Sequence, residues 1–286
     1  MLKHNLRFSF PPCDHPPVIT SLQNRHVKDA AKLRERRGRQ QQGRFIIDGA
    51  RELLRAMDAR VELVEVFVCE PFCHSDASRD VLMRLEDAAQ SDAPKVIAVT
   101  ESVFSRIAFG ERAEGLVGVA IPPKTSLANI ELPECPLVAV LESIEKPGNV
   151  GAILRSADAA GLSAIITTGG GTDLYNPNCI RASLGTVFTM PVCEAPSADV
   201  LLWLSTKQIA VFAATVDASL PFTDADLSGP AAIVLGSESA GLSSVWKQQH
   251  VTPIALPMKG VADSLNVSVT AALLFYEALR QRGKRG

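Results

Sequence analysis

Three short segments of the chain hold residues whose types and spacing can do chemistry: Asn149 with Arg155, Glu238 between Gly236 and Gly241, and Ser264-Leu265-Asn266. Arg155 stands six residues past Asn149 among Ala152, Ser156 and Ala159. There a guanidinium has room to lie flat and fork onto a pair of oxygens, and an exposed salt bridge is its plainer role. Asn149 is of the type that caps a helix, here one running through Ile153, Leu154 and Ala157 to Gly161, and capping alone would account for it. Gly236 and Gly241 permit a tight turn that brings main-chain groups close to a ligand. Glu238 sits between them, just past an apolar run, where parallel-sheet proteins bind ligands. Either Ser264 or Asn266 can cap the last helix, and both are short, polar and near Gly260, which suits main-chain recognition of a small molecule.

Several other chemistries find no support. The stretch around Ser239 is not a nucleophile elbow, because the residue two before it is Ser237 rather than Gly, and no histidine is placed to serve it. Gly169-Gly170-Gly171 lacks the spacing of a phosphate-binding loop and reads as a flexible connection. Cys69, Cys73 and His74 lie close together, but no second pair of ligands follows at zinc-site spacing, so no metal is expected. The six cysteines, Cys13, Cys69, Cys73, Cys135, Cys179 and Cys193, lack the density of a disulfide scaffold and are read as reduced thiols.

The segments with chemistry need a frame that holds strand ends together. Past Cys135, apolar runs without polar alternation occur at Leu137–Leu141, Ala164–Thr167, Ile209–Ala214, Ala231–Leu235 and Val251–Leu256. They fit strands buried on both faces of a parallel sheet with helices between them. The final helix repeats Val267, Ala271, Leu274, Phe275 and Ala278 at helical spacing, a stripe for a core or a dimer interface. Upstream, strands at Phe45–Ile47, Leu63–Val68, Val96–Val99 and Leu116–Ile121 alternate with helices at Ala50–Met57, Val81–Ala89 and Ser102–Ala108, which predicts a small α/β sandwich. The chain of 286 residues thus divides into a proline-rich arm over 1–17, an α/β domain over 18–122, a proline-punctuated linker over 123–134 and a parallel-sheet domain over 135–286.

Net charge is only −2, but it is unevenly spread. Arg25, Lys28, Lys32, Arg34, Arg36, Arg37, Arg39 and Arg44 face only Asp29 and Glu35 in the same stretch, so this run is either a solvated helix face or a grip for phosphates. No stretch has the length of a signal peptide's apolar region or of a membrane span, which predicts a cytoplasmic protein with no membrane partner.

Glu142-Ser-Ile-Glu-Lys-Pro-Gly-Asn149-Val-Gly151-Ala-Ile-Leu-Arg155, then Gly236-Ser-Glu238-Ser-Ala-Gly241, then Leu256-Pro-Met258 with Ser264-Leu265-Asn266, resemble in order and approximate spacing the three signature motifs of the SpoU/TrmH family of RNA 2′-O-ribose methyltransferases in the SPOUT superfamily. The stretch Asn178 to Gly185, with Arg181 and Ser183, also looks like that family. Ile19 to Asn24, Lys28 and Gly43 to Gly49 resemble the ribosomal-protein-like substrate-binding domain that precedes many such enzymes. Asp48 and Thr270 depart from the family's usual Glu and Ala. The resemblance implies a parallel sheet with a trefoil knot, a homodimer with its active site at the interface, and S-adenosyl-L-methionine as methyl donor. It implies a catalytic set of Asn149, Arg155, Glu238, Ser264 and Asn266, and main-chain cofactor contacts at Gly236, Leu256 and Leu265. RNA, ribosomal RNA foremost, is then the partner gripped by Arg25, Lys28, Arg36, Arg37, Arg39 and Arg44. DNA, which has no 2′-hydroxyl, is not. The alternatives are a thiopeptide-resistance ribosomal RNA methylase, a transfer RNA methylase, and a non-catalytic RNA-binding protein of the same fold.

Overall fold

The computed structural model describes residues 18–87, 94–109, 114–171 and 173–283, and gathers their strands into two sheets. The expected arm over 1–17 lies outside the described residues. In the first sheet Phe45–Asp48 (β1), Leu63–Val68 (β2), Lys95–Ala98 (β3) and Leu116–Ala120 (β4) stand in the order β1-β4-β2-β3. β4 runs antiparallel to both of its neighbours, and β2 pairs in parallel with β3. The basic run folds as two helices, Arg25–Lys32 (α1) and Arg36–Gln42 (α2); Asn24 caps α1 by accepting the His26 N–H at 2.9 Å. Ala50–Asp58 (α3), Asp76–Asp87 (α4) and Glu101–Ile107 (α5) complete this half. Helix α4 begins five residues before the apolar pattern suggests, because the Ser75 hydroxyl accepts the Ser78 N–H at 3.0 Å and starts the helix there.

The second sheet contains Leu137–Glu142 (β5), Ala164–Thr168 (β6), Val192–Glu194 (β7), Ala210–Ala214 (β8), Ala231–Leu235 (β9) and Val251–Ile254 (β10). All of its pairings are parallel, in the order β10-β8-β9-β5-β6-β7. Pro253, which has no N–H for a ladder, is tolerated because β10 is an edge strand. Helices Pro147–Ala160 (α6), Pro177–Ala182 (α7), Thr186–Thr189 (α8), Ser197–Thr206 (α9) and Val267–Arg282 (α10) flank the sheet. Val138, Val140, Ile233 and Val234 are wholly buried, each worth on the order of 2 kcal/mol of transfer from water. The stripe Val267, Ala271, Leu274, Phe275 and Ala278 is core.

The two sheets share one apolar seam. Phe45 of β1 stands 4.7 Å from the Tyr175 ring and 5.8 Å from Phe188, centroid to centroid. Polar groups finish the seam: Arg181 Nη1 donates to the Phe109 carbonyl at 2.6 Å, and Arg55 donates to the Leu184 carbonyl. The seam corrects one expectation about the basic run. Arg39 is only 6% exposed; its guanidinium donates to the Leu33 and Arg34 carbonyls at 2.9 and 3.0 Å and pairs with Asp173 at 2.6 Å. A buried guanidinium must be matched where it lies, so Arg39 ties the two halves together rather than facing a phosphate. Arg25, Lys28, Arg36 and Arg37 are exposed and Arg44 is half-buried. Arg36 also reaches across to the Gly171 carbonyl at 2.8 Å.

Candidate active site

β5 and β9 are neighbours in register, with Leu141 opposite Leu235, so the segments that follow them leave the sheet side by side. After β9 the chain folds back at once: Ser237 bridges Gly241, whose N–H reaches the Ser237 carbonyl at 3.0 Å. The turn is tight enough that a Cβ on Gly236 would fall 2.5 Å from the Gly241 carbonyl group, so no larger residue fits. Glu238 is thereby presented at the tip of a short, stiff turn.

After β5 the chain enters α6, and here the structure corrects the sequence reading. Lys146, not Asn149, is the N-cap residue. Pro147 starts the helix because its fixed φ and missing N–H suit the first helical position. Asn149 therefore lies in the first turn with its amide unspent on capping, and its Nδ2 donates to Glu238 Oε1 at 2.8 Å. Asn266, which does cap α10 by accepting the Ser268 N–H at 2.9 Å, turns its Nδ2 to the same Glu238 oxygen at 3.1 Å and to Asn149 Oδ1 at 3.3 Å. Lys146 Nζ donates to the other Glu238 oxygen at 2.7 Å. Glu238 thus joins residues from all three segments. The bond from Lys146, with help from Asn149 and the Val267 N–H, holds its carboxyl below the usual carboxylate range, while Glu238 in turn raises the Lys146 ammonium. Ile144, Glu145, Ser237 and Ser239 join Lys146, Asn149 and Glu238 around a cleft of about 190 Å³.

The remaining candidates fall outside this cluster. Ser264 and Leu265 are exposed on the loop before α10, and Leu256 packs against the core with part of its surface open. Among the described residues, the main-chain N–H groups from Met258 to Asn266 donate to nothing within the chain. A rim of unspent amides flanked by Leu256 and Leu265 suits a flat ligand with a polar edge. Arg155 is exposed on α6, does not line this cleft, and among the described residues makes no hydrogen bond or ion pair with Asn149, Ser264 or Glu238.

Two residues of the site carry no role in the sequence reading. Lys146 stands in the first motif three residues before Asn149, and its signal was a cation adjoining a helix start. Glu142 is the acid ending an otherwise apolar strand, a place where a carboxylate must find donors.

Comparison with known proteins adds a second line of argument. Residues 136–276 match the model of the SpoU rRNA Methylase family, and residues 24–118 match that of the MRM3-like substrate binding domain. A crystal structure of an RNA 2′-O ribose methyltransferase is 39% identical, with a TM-score of 0.79, covering 93% of this chain and 99% of that one. An AdoMet-bound rRNA methyltransferase from Sinorhizobium meliloti is 28% identical, with a TM-score of 0.82, covering 92% of this chain and 97% of that one. The 23S rRNA (uridine(2479)-2'-O)-methyltransferase of Streptomyces viridochromogenes is 29% identical over 273 residues, 92% of each chain.

Proposed function

Because the chain belongs to the SpoU rRNA methylase family, we infer that it is an S-adenosylmethionine-dependent RNA 2′-O-methyltransferase whose acceptor is a ribose of ribosomal RNA. The observation that carries the reading is the Glu238 carboxylate, gripped at once by Lys146, Asn149 and Asn266 beside a loop with free main-chain donors. Bound S-adenosylmethionine supplies an electrophilic methyl carbon on a sulfonium. Gly236, Leu256 and Leu265 line the place for it, where unspent amides and aliphatic surface fit a purine's edge and faces. Ionised Glu238 fixes the Asn149 amide, whose Oδ1 accepts from Asn266 and keeps a second lone pair to accept the ribose 2′-hydroxyl, so the attacking oxygen is aligned before reaction. Asn266 and Ser264 order the cofactor side of the acceptor. The ribosomal substrate follows the named activities of the relatives, and the cytoplasm is the proposed place of work.

Arg155 acts from a second copy of the chain. Leu265, Val269, Leu273, Tyr276 and Leu279 are between 38% and 51% exposed and lie at helical spacing on the outer face of α10 and just before it. Covering that stripe with its counterpart makes a homodimer, and Arg155 on α6, the helix packed against α10, then serves its neighbour's site. Guanidinium groups are poor proton acceptors, so Arg155 clamps the target phosphate and stabilises the charge that develops on oxygen, rather than taking the proton. Arg25, Lys28, Arg36, Arg37 and Arg44 hold RNA phosphates in the first half.

Purified protein incubated with methyl-labelled S-adenosylmethionine tests the reading directly. Label is expected in ribosomal RNA and, after alkaline hydrolysis, in dinucleotides that resist cleavage because their 2′-oxygen is blocked. Label confined to transfer RNA, or to alkali-sensitive products, overturns it. Mixed dimers test the arrangement of subunits: Asn149→Ala and Arg155→Ala chains, each expected to be severely impaired alone, regain activity when combined only if Arg155 works across the interface.

A further inference from the structure

We propose that Glu142 is a positioning residue for the methyl-donor site, setting the Gly236–Gly241 turn through a buried carboxylate clamp. The proposal rests on the methyltransferase reading above and adds to it a residue that touches neither substrate nor cofactor.

Glu142 ends β5 with only 4% of its surface exposed. Its Oε1 accepts the Ser197 hydroxyl at 2.8 Å, the Ser243 hydroxyl at 2.9 Å and the Trp246 indole N–H at 2.8 Å. Its Oε2 accepts the Ser243 main-chain N–H at 2.7 Å. Burial pushes this carboxyl up, but the donors from Ser243, Ser197 and Trp246 outweigh that push and hold it below the usual carboxylate range. The charge is met by neutral donors and by the N-terminal end of α9, where Ser197 is the first helical residue, and among the described residues no cation pairs with it.

These donors have a common address. Ser243 and Trp246 belong to the segment that leaves the Gly236–Gly241 turn, so Glu142 holds the base of the turn whose tip carries Glu238. Lys146 and Asn149, a few residues further along the same β5–α6 connection, hold the tip. One connection therefore grips the turn at both ends. Only an ionised carboxylate can accept at all four contacts without donating; a glutamine in its place must turn an NH₂ group toward at least one N–H or O–H. The turn then shifts at its base, and with it the Gly236 main chain that faces the cofactor.

Glu142→Gln separates positioning from plain structure. The expected result is a roughly tenfold or larger rise in KM for S-adenosylmethionine, with kcat at saturating cofactor and the Kd for RNA within about twofold of wild type. Calorimetric titration with the cofactor alone should show the same loss. An unchanged KM overturns the proposal. So does a loss spread equally over cofactor affinity, RNA affinity and Tm, since that is what a merely structural role would give. If Glu142→Gln does not fold, Ser243→Ala decides: it deletes one hydroxyl and keeps the main-chain donor, and is expected to raise KM by a few-fold, while no change sinks the clamp. Wild-type protein that binds no cofactor and methylates no RNA would remove the methyltransferase reading itself, and this inference with it.

Discussion

The basic helices of the first half and the strand ends of the second half were both picked out by residue type, and the fold treats them differently. At the strand ends, Asn149, Glu238 and Asn266 come from three segments spread over more than a hundred residues and meet within hydrogen-bonding distance. In the basic run, adjacent arginines part company: Arg36 and Arg37 face outward, whereas Arg39 is buried against Asp173. A motif tied to the end of a strand inherits its place from the sheet, because neighbouring parallel strands deliver their loops to one edge. A run of charges on a helix has no such anchor. Which residue lands on the buried face depends on what the helix packs against.

The largest effect belongs to the strand-end region. Arg155→Ala is expected to lower kcat/KM roughly a hundredfold, and Arg155→Lys to recover little, because a lysine lacks the planar fork. Cofactor affinity measured by calorimetry should be unchanged in both. Near-normal turnover in the lysine variant would show that charge alone suffices, and in the alanine variant it would leave Asn149 and Glu238 to account for the chemistry.

The seam comes next. Arg39→Ala leaves Asp173 without its cation and is expected to cost about 2 kcal/mol of stability by denaturant melting, since breaking a largely buried pair strands the remaining charge. Its RNA affinity should change little once the protein is folded. A variant of wild-type stability that lost RNA binding would return Arg39 to the phosphate-gripping set and blur the contrast between the two regions.

Charge reversal at the exposed Arg36 and Arg37 is expected to do the opposite: RNA binding weaker by roughly tenfold, with a shallower dependence on salt, and a melting midpoint lowered only slightly, by loss of the exposed bond from Arg36 to the Gly171 carbonyl. Unaltered affinity and salt slope would make the outward face of α2 a solvated surface and nothing more.

A dependence on pH concerns Asp48, at the end of β1 against the seam. Burial pushes its carboxyl up to about 7, despite the Phe109 N–H and the nearby Arg181, both of which favour the charged form. The folded protein therefore prefers Asp48 protonated. That preference stabilises the fold fully below the ordinary value of 3.8 and is lost as pH rises toward about 7. Asp48→Asn, which still accepts the Phe109 N–H, is expected to gain steadily on wild type in stability as pH rises from 4 to 8. A difference that stays flat across that range would show that ionised Asp48 is not penalised at the seam.

The residues Leu137–Leu141 and Ala231–Leu235 announced a buried parallel sheet, because only strands covered on both faces are apolar without alternation. The three motifs announced the chemistry for a related reason: their glycines, prolines and caps shape the chain locally. The three-residue edge strand β7 was too short to stand out, and α4 began earlier than its apolar pattern because a serine cap, not a hydrophobic face, decides where a helix starts.

By itself, then, the sequence determined the strands other than β7, the final helix and which residue types converge, all of which depend on near neighbours in the chain. Only the tertiary structure decided that Asn149 is not a cap but a partner of Glu238, that Lys146 and Glu142 grip the same turn at tip and base, and that Arg39 is buried in the seam. Each of those outcomes depends on groups between 89 and 134 positions away, and no local pattern records which distant donor or carboxylate will complete a buried or shared polar group.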